Sequence, residues 1–491
     1  MRLKYTIDDL RKYYQITVNT SEQLLKRGKY ESAIKCIRAA ALLQYNLNDI
    51  FVDSKVNLLL KSLGEKLVSF PEALGALDNN CVFFIDYFGI DNRGLTQQYL
   101  DALATQLRGA RIVYIHESSF TNRGVNIKKY INDNKFELFE LGTVSETNKV
   151  SLINQLVLKY KPSKVFFHLH AAKSLAPIIA LSPFSTIIKY QINITDHAFW
   201  LGGPDFFDYS IEFRDYGVSV SERYRGFKEE QIKILPYYPW QETGQFAGFP
   251  IETKDKVVLF SGGYLYKIEG EGNTFLDLAR AITEMNENVV FFLAGNGKTN
   301  YFDEYVLKNG LKNKFYYIGD RHDISDVFRR IDIFLGTYPH GGGLMTQLAA
   351  VNSKPILLYK SFDIAELFLN KGKVDFIFNT KEELLLEANK LVQDSSYRNN
   401  RGQYVKGLII SKEQFRQNFK LLFDNVINKR EKNDGTSPEM SYIYSSYLKR
   451  INDGFFGIYL ESLLFFSTHK ILGFKPAINI LLNIKQIRQL R

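Results

Sequence analysis

The stretch Lys256-Val-Val-Leu-Phe-Ser-Gly-Gly-Tyr-Leu-Tyr-Lys-Ile268 decides how the chain is read. A short apolar run ends in a Gly-Gly turn, the pattern of a strand feeding a tight loop. Glycines there let a ligand approach the backbone, and Lys267, four residues past Gly263, can supply a point charge to a diphosphate. The plainer alternative is a solvated lysine. The same pattern recurs downstream in Asn288-Val-Val-Phe-Phe-Leu-Ala-Gly, Lys314-Phe-Tyr-Tyr-Ile-Gly, Ile331-Asp-Ile-Phe-Leu-Gly and Lys354-Pro-Ile-Leu-Leu-Tyr. Upstream it recurs in Cys81-Val-Phe-Phe-Ile-Asp, Arg111-Ile-Val-Tyr-Ile-His, Phe136-Glu-Leu-Phe-Glu-Leu, Lys164-Val-Phe-Phe-His-Leu and Thr186-Ile-Ile-Lys-Tyr-Gln-Ile, with helical segments between the runs. Strand and helix in alternation predict parallel sheets with helices on both faces, here in two consecutive Rossmann-like blocks.

Working outward, residues 1–78 carry apolar positions at helical spacing and predict a small helical cap. The blocks are expected over 79–240 and 255–428, joined by a linker at 241–254 that contains Gly244, Gly248 and Pro250. A ligand cleft is expected where the carboxyl ends of both sheets meet. The tail, 429–491, has no acidic residue after Glu461, while Lys470, Lys475, Lys485, Arg488 and Arg491 alternate with apolar side chains. Such a segment suits the interface of an anionic membrane, or else a helix that packs back on the body.

The chain has 491 residues, 45% of them apolar, with a formal charge of +10, so wholesale disorder is excluded and a phosphate-rich ligand is compatible. Two cysteines, Cys36 and Cys81, and a charged N-terminus point to the cytoplasm. No apolar run approaches the roughly 18 residues of a membrane span. Nucleic-acid binding has only the net charge behind it, without a module or basic cluster.

Tyr338-Pro-His-Gly-Gly-Gly-Leu-Met-Thr-Gln places three glycines between a strand and a helix, where backbone N–H groups and the helix dipole make a phosphate site from His340, Gly341, Gly342 and Gly343. Arg321 and His322 are candidates for a nucleobase or ribose, while Asp323 and Ser325 suit a helix cap. In the first block, Ile194-Thr-Asp-His-Ala-Phe-Trp-Leu-Gly-Gly-Pro offers His197 beside Asp196 as a proton carrier or phosphate donor, with a structural histidine as the alternative. The end of the first strand and its glycine-containing loop bring Asp86, Asp91 and Arg93 to the same cleft, and Asp91 is a candidate base. His168 and His170 have the spacing of one strand face, but no Cys or carboxylate set accompanies them, so no metal is expected.

These residues resemble the GT-B glycosyltransferases over about residues 80–428, and in detail the O-GlcNAc transferase and HMW1C-like branch. Tyr264-Leu-Tyr-Lys-Ile is similar to the segment whose lysine holds the nucleotide diphosphate, which implies that role for Lys267. His340-Gly-Gly-Gly resembles a His-Thr-Thr-Gly phosphate loop, with Gly341 and Gly342 at the threonine positions. Trp200-Leu-Gly-Gly-Pro and Asp208-Tyr-Ser-Ile match Trp-Leu-Gly-x-Pro and Asp-Tyr-Ile-Ile segments, which puts Trp200 and Arg93 on the acceptor side, and Arg321-His322 falls in the base-contacting loop. The family's strand-end histidine has no counterpart in Asp91-Asn92-Arg93. The glutamate pair of retaining members is replaced by His340 and Leu348, so the anomeric outcome stays open.

The resemblance implies transfer of a sugar from a nucleoside diphosphate sugar, UDP-linked by preference, to a glycan or protein acceptor without a metal. Assembly of a surface polysaccharide or glycoconjugate is the leading setting. A nucleotide-sugar epimerase and a non-catalytic sugar-nucleotide-binding adaptor are the alternatives.

Overall fold

The computed structural model describes residues 3–68, 75–91, 95–241, 245–361, 374–424, 448, 451, 452 and 455–483. The chain divides into two compact units: Met1–Asp91 with Tyr99–Leu235 and Lys420–Arg491, and Pro236–Phe419 with Asn92–Gln98.

The sheet of the first unit has the strands β1 Asp78–Asp86, β2 Arg111–His116, β3 Glu137–Glu140, β4 Pro162–His168, β5 Ile188–Ile192, β6 Tyr209–Glu212 and β7 Ile232–Ile234. All pairs are parallel and the order is β3-β2-β1-β4-β5-β6-β7. The central strand β1 is buried from Cys81 through Asp86, as an apolar run covered on both faces requires. The direction of strand addition reverses between β1 and β4, and ligands of such sheets bind outside the carboxyl ends at that point.

The predicted N-terminal cap does not stand apart. The helices Ile7–Lys26, Tyr30–Leu47 and Ser54–Leu67 share one apolar core with β1, β2 and β4. The tail joins the same core: Leu460, Leu464 and Leu472 are buried in it, and the Cys36 thiol donates to the Ser467 carbonyl at 2.8 Å. At about 1.5–3 kcal/mol for each fully buried aliphatic side chain, this seam is a substantial part of the unit's stability. The described helices Phe455–Ser467 and Phe474–Leu482 pack on the body. Lys485, Arg488 and Arg491 lie outside the described residues.

The second unit repeats the topology with β8 Val257–Gly262, β9 Val289–Ala294, β10 Phe315–Tyr317, β11 Ile333–Leu335, β12 Ile356–Tyr359 and β13 Ile377–Phe378, again all parallel, in the order β10-β9-β8-β11-β12-β13. Its reversal lies between β8 and β11. The expected linker is part of this unit: Phe246, Phe249 and Ile251 pack on its core, and Arg321 donates to the Gly248 carbonyl at 2.7 Å. The second block also ends earlier than 428. The helix Lys412–Phe423 crosses the boundary at Phe419, and Phe423 stacks on Phe166 of the first sheet with ring centroids 6.5 Å apart. No helix among the described residues is long and apolar enough to cross a membrane.

Candidate active site

In the second unit the two glycine motifs meet at the reversal point. β8 runs out through Gly262 and Gly263 into a 3-10 turn, Leu265–Ile268, that carries Lys267. β11 runs out through Gly336 and Thr337 to His340 and the helix Gly343–Val351. Lys267 Nζ donates to the Gly341 carbonyl at 2.5 Å, and the His340 N–H donates to the Lys267 carbonyl at 3.3 Å. The Thr337 hydroxyl donates to the His340 carbonyl at 2.7 Å, fixing the turn from beneath. The helix Gly343–Val351 starts without a side-chain cap. Its positive dipole end and the Lys267 ammonium therefore converge on one half-buried spot, an arrangement that an anion stabilises. His340 is buried beside the Tyr266 ring.

The close packing of this corner depends on a glycine that sequence reading passed over. Gly295, at the end of β9, has φ +146°, and a Cβ there would lie 1.7 Å from the Gly263 carbonyl oxygen. Its signal was the strand-terminal glycine of Phe-Phe-Leu-Ala-Gly. Gly263 itself has φ +148°.

Arg321 is not placed to read a base. It is buried, donates through Nε to Asp323 Oδ1 at 2.7 Å, and lies over the Phe246 ring at 5.4 Å. A guanidinium so engaged fastens 245–251 to the unit. Asp323 likewise does not cap its helix: its carboxylate accepts from Arg321 and from the Ala247 N–H. Ser325 Oγ is buried and caps nothing. His322 is exposed.

In the first unit, His197 is one-third exposed, with Nδ1 3.5 Å from Asp196 Oδ1. Asp196 is buried and bonded to Arg214, with Nη2 to Oδ1 at 2.8 Å. Burial alone would raise its carboxyl, but the Arg214 guanidinium, assisted by His197, overrides that and holds it well below the usual carboxylate range. Asp196 is thus a buried carboxylate held by Arg214, with the His197 ring beside it.

The loop bearing this pair is held by the N-terminal helices. Asn48 donates to the His197 carbonyl at 2.7 Å and accepts from the Phe199 N–H, and Asn57 bonds both the N–H and the carbonyl of Gly202. Trp200, expected on the acceptor side, is buried at 1% exposure, with its indole N–H donating to the Thr195 carbonyl at 3.0 Å. It anchors the loop from within the core.

Asp91 is committed as well. Its carboxylate oxygens accept the backbone N–H groups of Asn126 and Ile127, both at 2.9 Å, at the start of the helix Val125–Asp133. Burial raises its carboxyl while those bonds oppose the rise. A helix-capping role displaces that of candidate base. Arg93 lies outside the described residues.

Asp86, which the sequence brings to the expected cleft with Asp91 and Arg93, is fully buried in a strand-end cluster of the first unit. Asp86 is in register with His116 on one side and His168 on the other. It pairs with His168 Nδ1 at 2.9 Å, accepts from the Tyr114 hydroxyl at 2.5 Å, and accepts the N–H groups of Phe88 and Gly89. Burial would raise its carboxyl, yet His168, followed by His116 and Tyr114, pulls it down to about 2. β4 stops at His168, so strand alternation does not carry on to His170, which packs between Tyr45 and Tyr87 instead. Among the described residues no group of three or more His, Cys, Asp or Glu is arranged to hold a metal.

No family model matches the chain, and a search of curated proteins finds no match. Solved structures do match. A structure of Anabaena HepE in complex with UDP and glucose aligns at 12% identity with a TM-score of 0.51, covering 70% of this chain and 100% of that one. HepE in complex with UDP-glucose aligns at 13% identity with the same TM-score and coverage. TarM aligns at 9% identity with a TM-score of 0.52, covering 70% of this chain and 98% of that one. At such identities the likeness is one of architecture, and with two parallel sheets of matching strand order it establishes that this chain has the GT-B fold.

Proposed function

We propose that the protein is a glycosyltransferase that takes a sugar from a nucleoside diphosphate sugar, with UDP as the favoured nucleotide. The observation that carries this reading is the convergence of Lys267 with the uncapped start of Gly343–Val351 at the reversal point of the second sheet. A fold alone implies no activity. A double source of positive potential aimed at one spot does imply an anion. HepE complexes with UDP and UDP-glucose share the fold and support the choice of nucleotide.

In the reaction, an acceptor hydroxyl attacks the anomeric carbon, the bond from that carbon to the diphosphate oxygen breaks, and the hydroxyl proton passes to His197. Asp196 holds the imidazole in orientation and stabilises its charge once protonated. Lys267 and the backbone of Gly341–Gly343 neutralise the departing diphosphate, usually the largest catalytic contribution at such a site. Branch membership with the O-GlcNAc transferase and HMW1C-like enzymes rests on the Tyr264–Ile268 and Trp200–Pro204 segments. The acceptor we favour is a glycan in surface polysaccharide or glycoconjugate assembly, with a polypeptide second.

The test is calorimetric titration with UDP and UDP-sugars, followed by an acceptor screen with the sugar that binds. Donor-dependent transfer that falls at least about 100-fold in His197→Ala, with donor affinity kept, is the expected result. Conversion of the donor without an acceptor would mean an epimerase, and binding without turnover an adaptor.

A further inference from the structure

The last described helix, Phe474–Leu482, turns its polar residue inward and its apolar face outward. Asn479 is buried, accepts from the Leu3 N–H at 2.8 Å, donates to the Leu3 carbonyl at 3.0 Å and donates to Glu461 Oε1 at 2.8 Å. Pro476 and Ile480 are buried with it. Phe474, Ile478, Leu481 and Leu482, at i, i+4, i+7 and i+8, share the opposite face. Phe474 is 81% exposed, Leu481 68% and Leu482 57%, and the preceding turn adds Ile471 at 58%. A surface helix of a globular protein ordinarily has the reverse pattern, and contiguous exposed apolar side chains mark a surface made to be covered.

The charges around this face say what covers it. Between 462 and 483 the described tail has two lysines, Lys470 and Lys475, and no Asp or Glu. Exposed Lys470 adjoins Ile471 in the turn, and Lys475 follows Phe474, its Nζ bonded to Asp9 at 2.8 Å. A two-fold contact between copies would bring like charges together, and protein interfaces are depleted of lysine. Apolar side chains beside an exposed lysine match an anionic lipid surface, which attracts both.

We propose that the outward face formed by Ile471, Phe474, Leu481 and Leu482 docks the protein on anionic lipid bilayers, with Lys470 at the headgroup level. The inward face keeps the helix on the protein through Asn479, so the surface is presented ready-formed. This goes beyond the proposed transfer reaction and does not depend on it.

The test is sedimentation of the full chain with vesicles of phosphatidylcholine alone or mixed with phosphatidylglycerol. Binding to the mixed vesicles, weakened by salt, is expected. The combined variant Phe474→Ser, Leu481→Ser, Leu482→Ser should lose about tenfold or more of that binding at an unchanged unfolding midpoint. Should that variant not fold, Phe474→Trp supplies the readout, its emission shifting to the blue on the mixed vesicles. Three results would overturn the proposal: no sedimentation with either vesicle, undiminished binding or unshifted emission in the variants, or a parent dimer that the triple variant converts to monomer.

Discussion

The two sheets share the strand order 3-2-1-4-5-6 from their first strands, yet the equivalent points are filled in opposite ways. At the carboxyl ends of β1, β2 and β4 the first unit packs Asp86, Tyr114, His116 and His168 into a buried polar cluster. Outside β8 and β11 the second unit places Gly263, Lys267 and the uncapped helix start at Gly341–Gly343, all at partly exposed positions. The difference teaches that a reversal point is an opportunity and not yet a site. Side chains bonded to one another fill the first, while glycines, a lysine and a helix start without a side-chain cap line the second.

The contrast is broken most directly at Asp86. Asp86→Ala removes the partner of the buried His168 and Tyr114 and of two backbone N–H groups, and should cost about 3–5 kcal/mol in denaturant unfolding. Because the folded carboxyl is held near 2, below the ordinary value of about 3.9, its contribution is present at neutral pH and fades as pH falls from about 4 through 2. A loss of donor affinity as large as the loss of stability would erase the distinction between the units.

Lys267→Ala is the converse. It should lower donor-dependent turnover about 100-fold, roughly 2.7 kcal/mol of transition-state stabilisation, while the unfolding midpoint stays close to the parent's. Steady-state kinetics and a thermal melt on one preparation separate the two. Full activity in this variant would remove the diphosphate assignment.

Glu117, the residue after β2, sharpens the picture of a closed edge. Burial pushes its carboxyl up to about 8, with the Ser174 hydrogen bond opposing the rise. A carboxyl raised in the folded state is held protonated there, so its contribution is fully present below about pH 4 and is lost as pH climbs through 8. Glu117→Gln mimics the protonated form, and its stability advantage over the parent should grow to at least about 1 kcal/mol between pH 5 and 8 in parallel unfolding curves. A constant difference across that range would mean that water reaches the carboxyl.

Gly342→Ala should change stability least, within about 0.5 kcal/mol, since its new methyl would meet nothing nearer than Thr337 Oγ1 at 3.6 Å. Thermal unfolding decides this. A large loss would show that the loop is tighter than its spacing suggests.

Much of the architecture was legible because it rests on local pattern. Apolar runs of strand length ending in glycine or a polar residue recur through both blocks, and each proved to be a parallel strand or close to one. Lys267 and Gly341–Gly343 were legible for the same reason, since each is the immediate continuation of a strand. Asp91, Trp200 and Arg321 were misread because residue type leaves a side chain's partner open. A helix start, a core and a packed loop claimed the three instead.

By itself, then, the sequence determined the two α/β blocks, the strand-end glycines and the apolar, acid-free tail, because periodicity and turn chemistry act over a few residues. Only the tertiary structure decided that the N-terminal helices and the tail build the first unit's core, and that Asn48 and Asn57 hold the His197 loop from about 150 positions away. It also decided that Asp196 is buried and paired with Arg214. Those outcomes depend on which groups burial brings within hydrogen-bonding distance, and a buried charge takes its role from the partner it finds there.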